Sequence, residues 1–150
     1  MASHANLETD IVVIGSGATG LPAAIAARET GASVILVEAE PRMGGHAIVS
    51  GGNIPLGGGT AAQKKFGIDD SADLLFRDLT DWSIVQPNGF PEYYNDREIV
   101  RAFADNNVAT YDWLLGHGVT FADKTPDERG GISVGNSVPR GALKTKQKLV

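Results

Sequence analysis

Between two apolar runs the chain reads Gly15-Ser16-Gly17-Ala18-Thr19-Gly20, and this turn restricts the fold more than any other stretch. The preceding run, Thr9 to Ile14, is β-branched and does not alternate, which predicts a strand buried on both faces, as in a parallel sheet. The following stretch, LPAAIAARE, is alanine-rich. It carries Pro22, tolerable only in a first helical turn, and Gly31 stands where a helix stops. A second apolar run, Ser33 to Glu38, predicts another buried strand. Strand, glycine turn, helix and strand within about 30 residues make a βαβ unit. The fold class that follows is α/β, with a Rossmann-like dinucleotide-binding core.

Each glycine of that turn has its own physical reason. Gly15 permits the tight turn, Gly17 lets a pyrophosphate approach the backbone without a Cβ in the way, and Gly20 lets the helix pack closely on the strand. The opening amides and the positive end of the helix dipole then face the phosphates. Glu38 ends the second strand 18 residues after Gly20. A carboxylate there accepts hydrogen bonds from ribose hydroxyls and repels a 2′-phosphate, which disfavours NADP. These residues leave FAD and NAD both open.

The next segment narrows the choice. Residues 44–59 hold seven glycines in 16 positions, interspersed with Ile48, Val49, Ile54 and Leu56. A flexible linker would lack the apolar residues, so the pattern predicts a buried loop with close backbone approach. With Gly15, Gly17, Gly20, Glu38, Arg42, Gly44, Gly45, Ser50, Gly51 and Gly52 in order, the chain resembles the amino-terminal part of a flavoprotein family. That family includes the fumarate reductase and succinate dehydrogenase flavoprotein subunits and the ketosteroid dehydrogenases. The resemblance is specific over residues 10–60 and looser to about residue 122. It implies FAD as cofactor and redox chemistry on a carbon–carbon single or double bond. The candidate cofactor-binding set is Gly15, Gly17, Ala18, Thr19, Gly20, Glu38, Ala39, Arg42, Gly44, Gly45, His46, Ala47, Ser50, Gly51 and Gly52. His46 departs from the small polar residue of many members, and its role stays open.

The resemblance also implies an incomplete core, since the family's substrate-binding arginines and histidine, its capping domain and further sheet strands lie beyond residue 150. The expectation is a longer protein whose first 150 residues do not turn over substrate alone and associate through an unfinished sheet. Two alternatives stand beside it: a non-catalytic dinucleotide-binding or interaction fragment, and an NAD-binding Rossmann module. No catalytic residue is assigned.

Elsewhere the sequence predicts helices over Asp70–Ser83 and Asp96–Gly118. The second is amphipathic, with Ile99, Val100, Phe103, Val108, Tyr111, Leu114 and Leu115 on or near one face. Val119–Ala122 reads as a short strand, and nothing from Thr125 onward reads as an element. Asp69, Asp70, Asp73, Asp78 and Asp81 are spaced as a solvated helix face. The domain reading is a flexible tail over 1–9, the amino-terminal part of an FAD-binding domain over 10–124 and an irregular, basic segment over 125–150.

The exclusions are brief. A net charge of −5 argues against general nucleic-acid or anionic-lipid binding. Absence of cysteine excludes disulfides and thiolate chemistry. His4, His46 and His117 stand apart, without metal-ligand spacing. Ser137 lacks the final glycine of a nucleophile elbow, and no Walker motif occurs. Trp82, Tyr93, Tyr94 and Trp113 read as packing residues. With no signal-like leader or apolar span, the expected location is cytoplasmic.

Overall fold

The computed structural model describes residues 6–81, 96–127, 137–143 and 145. His4, Trp82, Ser83, the turn-rich stretch around Tyr93 and Tyr94, and most of the basic carboxyl-terminal stretch lie outside the described residues. The chain forms two compact units, Met1–Gly51 and Gly52–Val150.

The first unit is the expected βαβ. Strand β1 (Ile11–Ile14) pairs in parallel with β2 (Val34–Val37), Ile11 opposite Val34, and helix α1 (Gly20–Glu29) joins them. Pro22 stands third in α1, within the first turn, where its missing N–H costs no helical bond. Gly31 has φ +90°, the left-handed conformation that ends a helix at low cost only with glycine. A polar clamp aligns the strand entrances. Asp10 accepts from the Ser33 amide (2.8 Å) and hydroxyl (2.7 Å), and the Asp10 N–H donates back to Ser33 Oγ (2.9 Å). The Ser33 hydroxyl, with its amide, holds the Asp10 carboxyl below its usual range.

The strands are not buried on both faces. Val12 is 56% exposed, Ile14 85% and Val37 48%. Helix α1 covers one face of a two-stranded sheet, and an apolar run secures burial only where something packs on it.

In the second unit, β3 (Asn53–Pro55) pairs antiparallel with β4 (Gly141–Leu143), Ile54 opposite Ala142. Strand β4 is an element where none is expected from sequence. Helix α2 (Ala61–Lys65) starts on a reciprocal capping box between Thr60 and Gln63. Helix α3 (Ala72–Thr80) is capped by Ser71, whose hydroxyl takes the Leu74 N–H, and α4 (Arg97–Gly116) by Asp96. Both fall inside the expected spans. Leu56, Tyr111 and Ala142 make the core, flanked by Ile54, Ala62, Leu114 and Phe121.

The buried seam of α4 is Ala104, Asn107 and Tyr111, whereas Ile99, Phe103 and Leu115 of the expected apolar face are exposed. The seam turns because Asn107 must reach inward, where its Oδ1 accepts the Gly57 N–H at 2.6 Å. Val119–Ala122 forms no strand of its own. Phe121 instead stacks on Tyr111 at a centroid distance of 5.3 Å, and the Thr120 carbonyl takes the Thr145 N–H. His117 caps the end of α4 with Nδ1 2.7 Å from the Trp113 carbonyl.

The largest departure concerns the aspartates. Asp70 and Asp78 do not lie on a solvated face. They clamp Arg140, whose side chain is 1% exposed. Arg140 binds Asp70 through two bonds (Nε–Oδ2 2.9 Å, Nη2–Oδ1 2.8 Å) and Asp78 through Nη1 (2.6 Å). Asp70 also accepts from the Gly58 amide (2.7 Å) and Gln63 (2.8 Å), and Asp78 from the Ser137 amide (2.9 Å) and hydroxyl (2.7 Å). Burial opposes charge on both partners, yet the bonds outweigh it: the Arg140 pKa is raised and that of Asp70 lowered.

Candidate cofactor site

The candidate site lies in the first unit, where β1 runs into α1. Gly15 has φ +91°, and its N–H donates to the Val37 carbonyl at 2.7 Å, so the loop leaves the sheet directly into the turn. A Cβ on Gly20 would lie 1.9 Å from the Gly15 carbonyl oxygen and 3.4 Å from Val13, which is the close helix–strand approach expected of that glycine. Gly17 differs from both. Its φ is not positive, and a Cβ there would meet no atom of the protein within 4 Å. The chain's own packing gives no reason for glycine at 17, whereas a pyrophosphate against the loop does.

The start of α1 suits an anion. Thr19 makes no side-chain capping bond, no acid stands in the first turn, and Pro22 has no N–H to satisfy. Ala18 and Thr19 are exposed in the loop. The helix dipole therefore meets no negative side chain of its own first turn.

The second glycine turn comes to the first. A Cβ on Gly45 would stand 3.3 Å from the Gly17 Cα, so the two backbones approach closely. Gly44 (φ +116°) and Gly45 (φ +50°) both have the left-handed backbone this turn requires. They lead into a short 3-10 helix, Gly45–Val49, that carries His46 and Ala47. Residues 45–51 are exposed, not the buried loop expected, because no element of this unit packs over them. Arg42, Gly45, His46, Ile48 and Val49 line part of a cavity of about 470 Å³. Ala39 is exposed beside Glu38, Ser50 follows the 3-10 helix as its cap, and Gly51 ends the unit. Gly52 (φ +76°) opens the second unit.

Glu38 is held by residues the sequence did not single out. Its Oε2 accepts both the amide (2.8 Å) and the hydroxyl of Ser16, and Oε1 accepts the Glu40 N–H at 3.0 Å. The Glu40 amide, then the Ser16 hydroxyl and amide, bring the carboxyl pKa down to about 2. Ser16 itself is fully buried, and its oxygen accepts the Gly44 N–H at 2.9 Å.

The glycines further along serve the protein itself. A Cβ on Gly57 would lie 2.5 Å from Arg140 Cδ and 2.7 Å from Asp70 Oδ2. The amides of Gly57, Gly58, Gly59 and Thr60 donate to Asn107, Asp70 and Gln63, with Gln63 taking the last two. These donors face inward, so close backbone approach there is to side chains of the chain. Among the described residues no cluster of three His, Cys, Asp or Glu could hold a metal ion, and no helix is long and apolar enough to cross a membrane.

Comparison with known proteins identifies similar sequences and a similar fold. A family described as an FAD binding domain matches residues 10–149. A fumarate reductase (cytochrome) of Shewanella frigidimarina is 34% identical over 134 residues, which are 89% of this chain and 22% of that protein. A KsdD-like steroid dehydrogenase of Mycolicibacterium smegmatis is 36% identical over 140 residues, 89% of this chain and 25% of that protein. Among solved structures, the 3-ketosteroid-Δ4-(5α)-dehydrogenase of Rhodococcus jostii RHA1, in complex with 4-androstene-3,17-dione, superimposes with a TM-score of 0.75 at 28% identity. That match covers 92% of this chain and 31% of the other. The chain thus spans about a quarter of the length of these curated relatives.

Proposed function

This chain belongs to the FAD binding domain family, and from that premise we propose that it is the FAD-binding part of a flavin-dependent oxidoreductase acting on a carbon–carbon single or double bond. The relatives named fumarate reductase and steroid dehydrogenase support that reaction class. The observation that carries the proposal is the paired glycine turn. Gly17, with open space where its Cβ would be, stands against Gly45, at the mouth of α1 and beside an ionised Glu38.

In this reading the turn Gly15–Gly20 receives the pyrophosphate, with Gly17, Ala18, Thr19 and Gly20 offering backbone amides and Gly15, whose N–H is held by the Val37 carbonyl, shaping the turn, and Glu38 accepts from the adenosine ribose. The turn from Arg42 through Gly44, Gly45, His46 and Ala47 to Ser50 and Gly51 supplies the facing wall. Arg42 supplies a guanidinium to that wall, suited to phosphate. Bound FAD supplies the redox step, while these residues bind and orient it. No observation favours an NAD module. The domain division over 10–124 belongs to the same proposal.

The test is flavin retention by the full chain. Supplied with FAD, the purified protein should bind it and show the yellow absorbance of bound oxidised flavin. Gly17→Val should lose it while keeping the parent's circular dichroism, because the added Cβ meets no protein atom within 4 Å. Unchanged FAD affinity in Gly17→Val would refute the proposed pyrophosphate position.

A further inference from the structure

We infer that Ser16 is a positioning residue for the dinucleotide: its hydroxyl, oriented by the Gly44 amide, sets the Glu38 carboxylate that receives the ribose. The inference rests on the FAD reading above and adds a residue to it.

Ser16 occupies a variable position of the glycine motif, yet it is fully buried in a loop whose neighbours Ala18 and Thr19 are exposed. A serine hydroxyl has one donor and two acceptor sites. Here the Gly44 N–H donates into the oxygen at 2.9 Å, which leaves the hydroxyl proton directed at Glu38 Oε2. The Ser16 backbone N–H donates to the same Oε2 at 2.8 Å. Three segments meet on one residue: the pyrophosphate loop, the end of β2 and the second glycine turn.

The arrangement also selects an atom. With two donors from Ser16, the acceptor sites of Oε2 are filled, while Oε1 holds the Glu40 N–H and retains capacity. The ribose hydroxyl therefore meets Oε1, and its position follows from how Ser16 holds Oε2. Alanine at 16 keeps the backbone bond but releases the carboxylate to rotate and leaves the Gly44 amide without its acceptor.

The experiment is a double-mutant cycle on FAD affinity in the full chain, comparing parent, Ser16→Ala, Glu38→Ala and the double variant. Circular dichroism melts without FAD establish that each is folded at the assay temperature. Ser16→Ala should weaken FAD about tenfold, as expected for loss of control over one charge-assisted bond. In the Glu38→Ala background the same change should cost only about twofold, because its target is gone. A residue that merely holds the loop together would instead give additive losses. Additive losses, or a Ser16→Ala variant that binds FAD like the parent, overturn the inference while leaving the FAD reading intact. A parent chain that binds no FAD overturns both.

Discussion

Arg140→Met tests the buried ion cluster of the second unit. Methionine keeps much of the aliphatic stem and removes the guanidinium. The bonds of Nε and Nη2 to Asp70 and of Nη1 to Asp78 vanish. Two carboxylates with side-chain exposures of 0% and 3% lose their counter-charge. Removing one partner of a buried pair costs about 3–5 kcal/mol, most of it the stranded charge. Asp70 still accepts from Gly58, Gln63 and Ser71, and Asp78 from Ser137, so the lower end, about 3 kcal/mol, is expected. With a urea m-value of about 2 kcal/mol/M, the unfolding midpoint should fall by about 1.5 M. Adding Asp70→Asn and Asp78→Asn to Arg140→Met should recover more than half of that loss, because the cost lies in unpaired charge and not in lost volume. The deficit should also narrow toward about pH 4. The parent's Asp70 stays ionised there, whereas burial without Arg140 lets the variant's carboxyl take up a proton. A midpoint unchanged by Arg140→Met, or a triple variant no better than the single one, would refute the assignment of the cost to charge.

Two further outcomes follow from the first unit. Gly20→Ala places a Cβ 1.9 Å from the Gly15 carbonyl oxygen. That contact is backbone and cannot rotate away, so a loss of about 1–3 kcal/mol or more is expected, read as a lower urea midpoint without added flavin. Acid should also weaken this unit. Glu38 titrates at about 2 when folded and Asp10 below its ordinary value. Their contributions are therefore present above the ordinary carboxylate range and are lost as pH falls from about 4.5 toward 2. Glu38→Gln should flatten the dependence of the urea midpoint on pH over that window, and an unchanged slope would count against the Ser16–Glu40 anchoring of Glu38.

The parts of the fold that local chemistry controls were legible in the sequence. The βαβ unit, the placement of Pro22 in the first turn of α1, the left-handed Gly15 and Gly31 and the spans of α3 and α4 depend on neighbours a few residues away. Three-residue strands paired across 88 positions, such as Ile54 with Ala142, leave no periodic trace. Nor does a pairing of Arg140 with Asp70 and Asp78, because spacing along a helix says which residues share a face and not what meets that face. The β1 run predicts double burial because apolar composition reports the preference of the strand, not the cover available to it. Ser16 stands at a variable position of its motif, so the motif itself carries no signal for it. The usable signal was indirect: a carboxylate committed to the end of β2 needs donors, and the nearest candidates on the adjoining loop are the Ser16 amide and hydroxyl.

Glycine density proved the least specific signal, because two unlike demands produce it. At Gly57 the Cβ that is missing would collide with Arg140 and Asp70, and the amides from Gly57 to Thr60 are all consumed by side chains of the same unit. There glycine is the condition for a buried charge cluster to close on its own backbone. At Gly17 the missing Cβ would collide with nothing in the protein, and the adjacent helix start has no side-chain cap. An alanine would be the better choice on backbone entropy alone, and in the proposed FAD reading the pyrophosphate accounts for the glycine. The two cases are indistinguishable in composition and separate at once when the Cβ is built. That separation, more than the number of glycines, sets Gly17 apart from Gly57 and is what the proposed pyrophosphate position rests on.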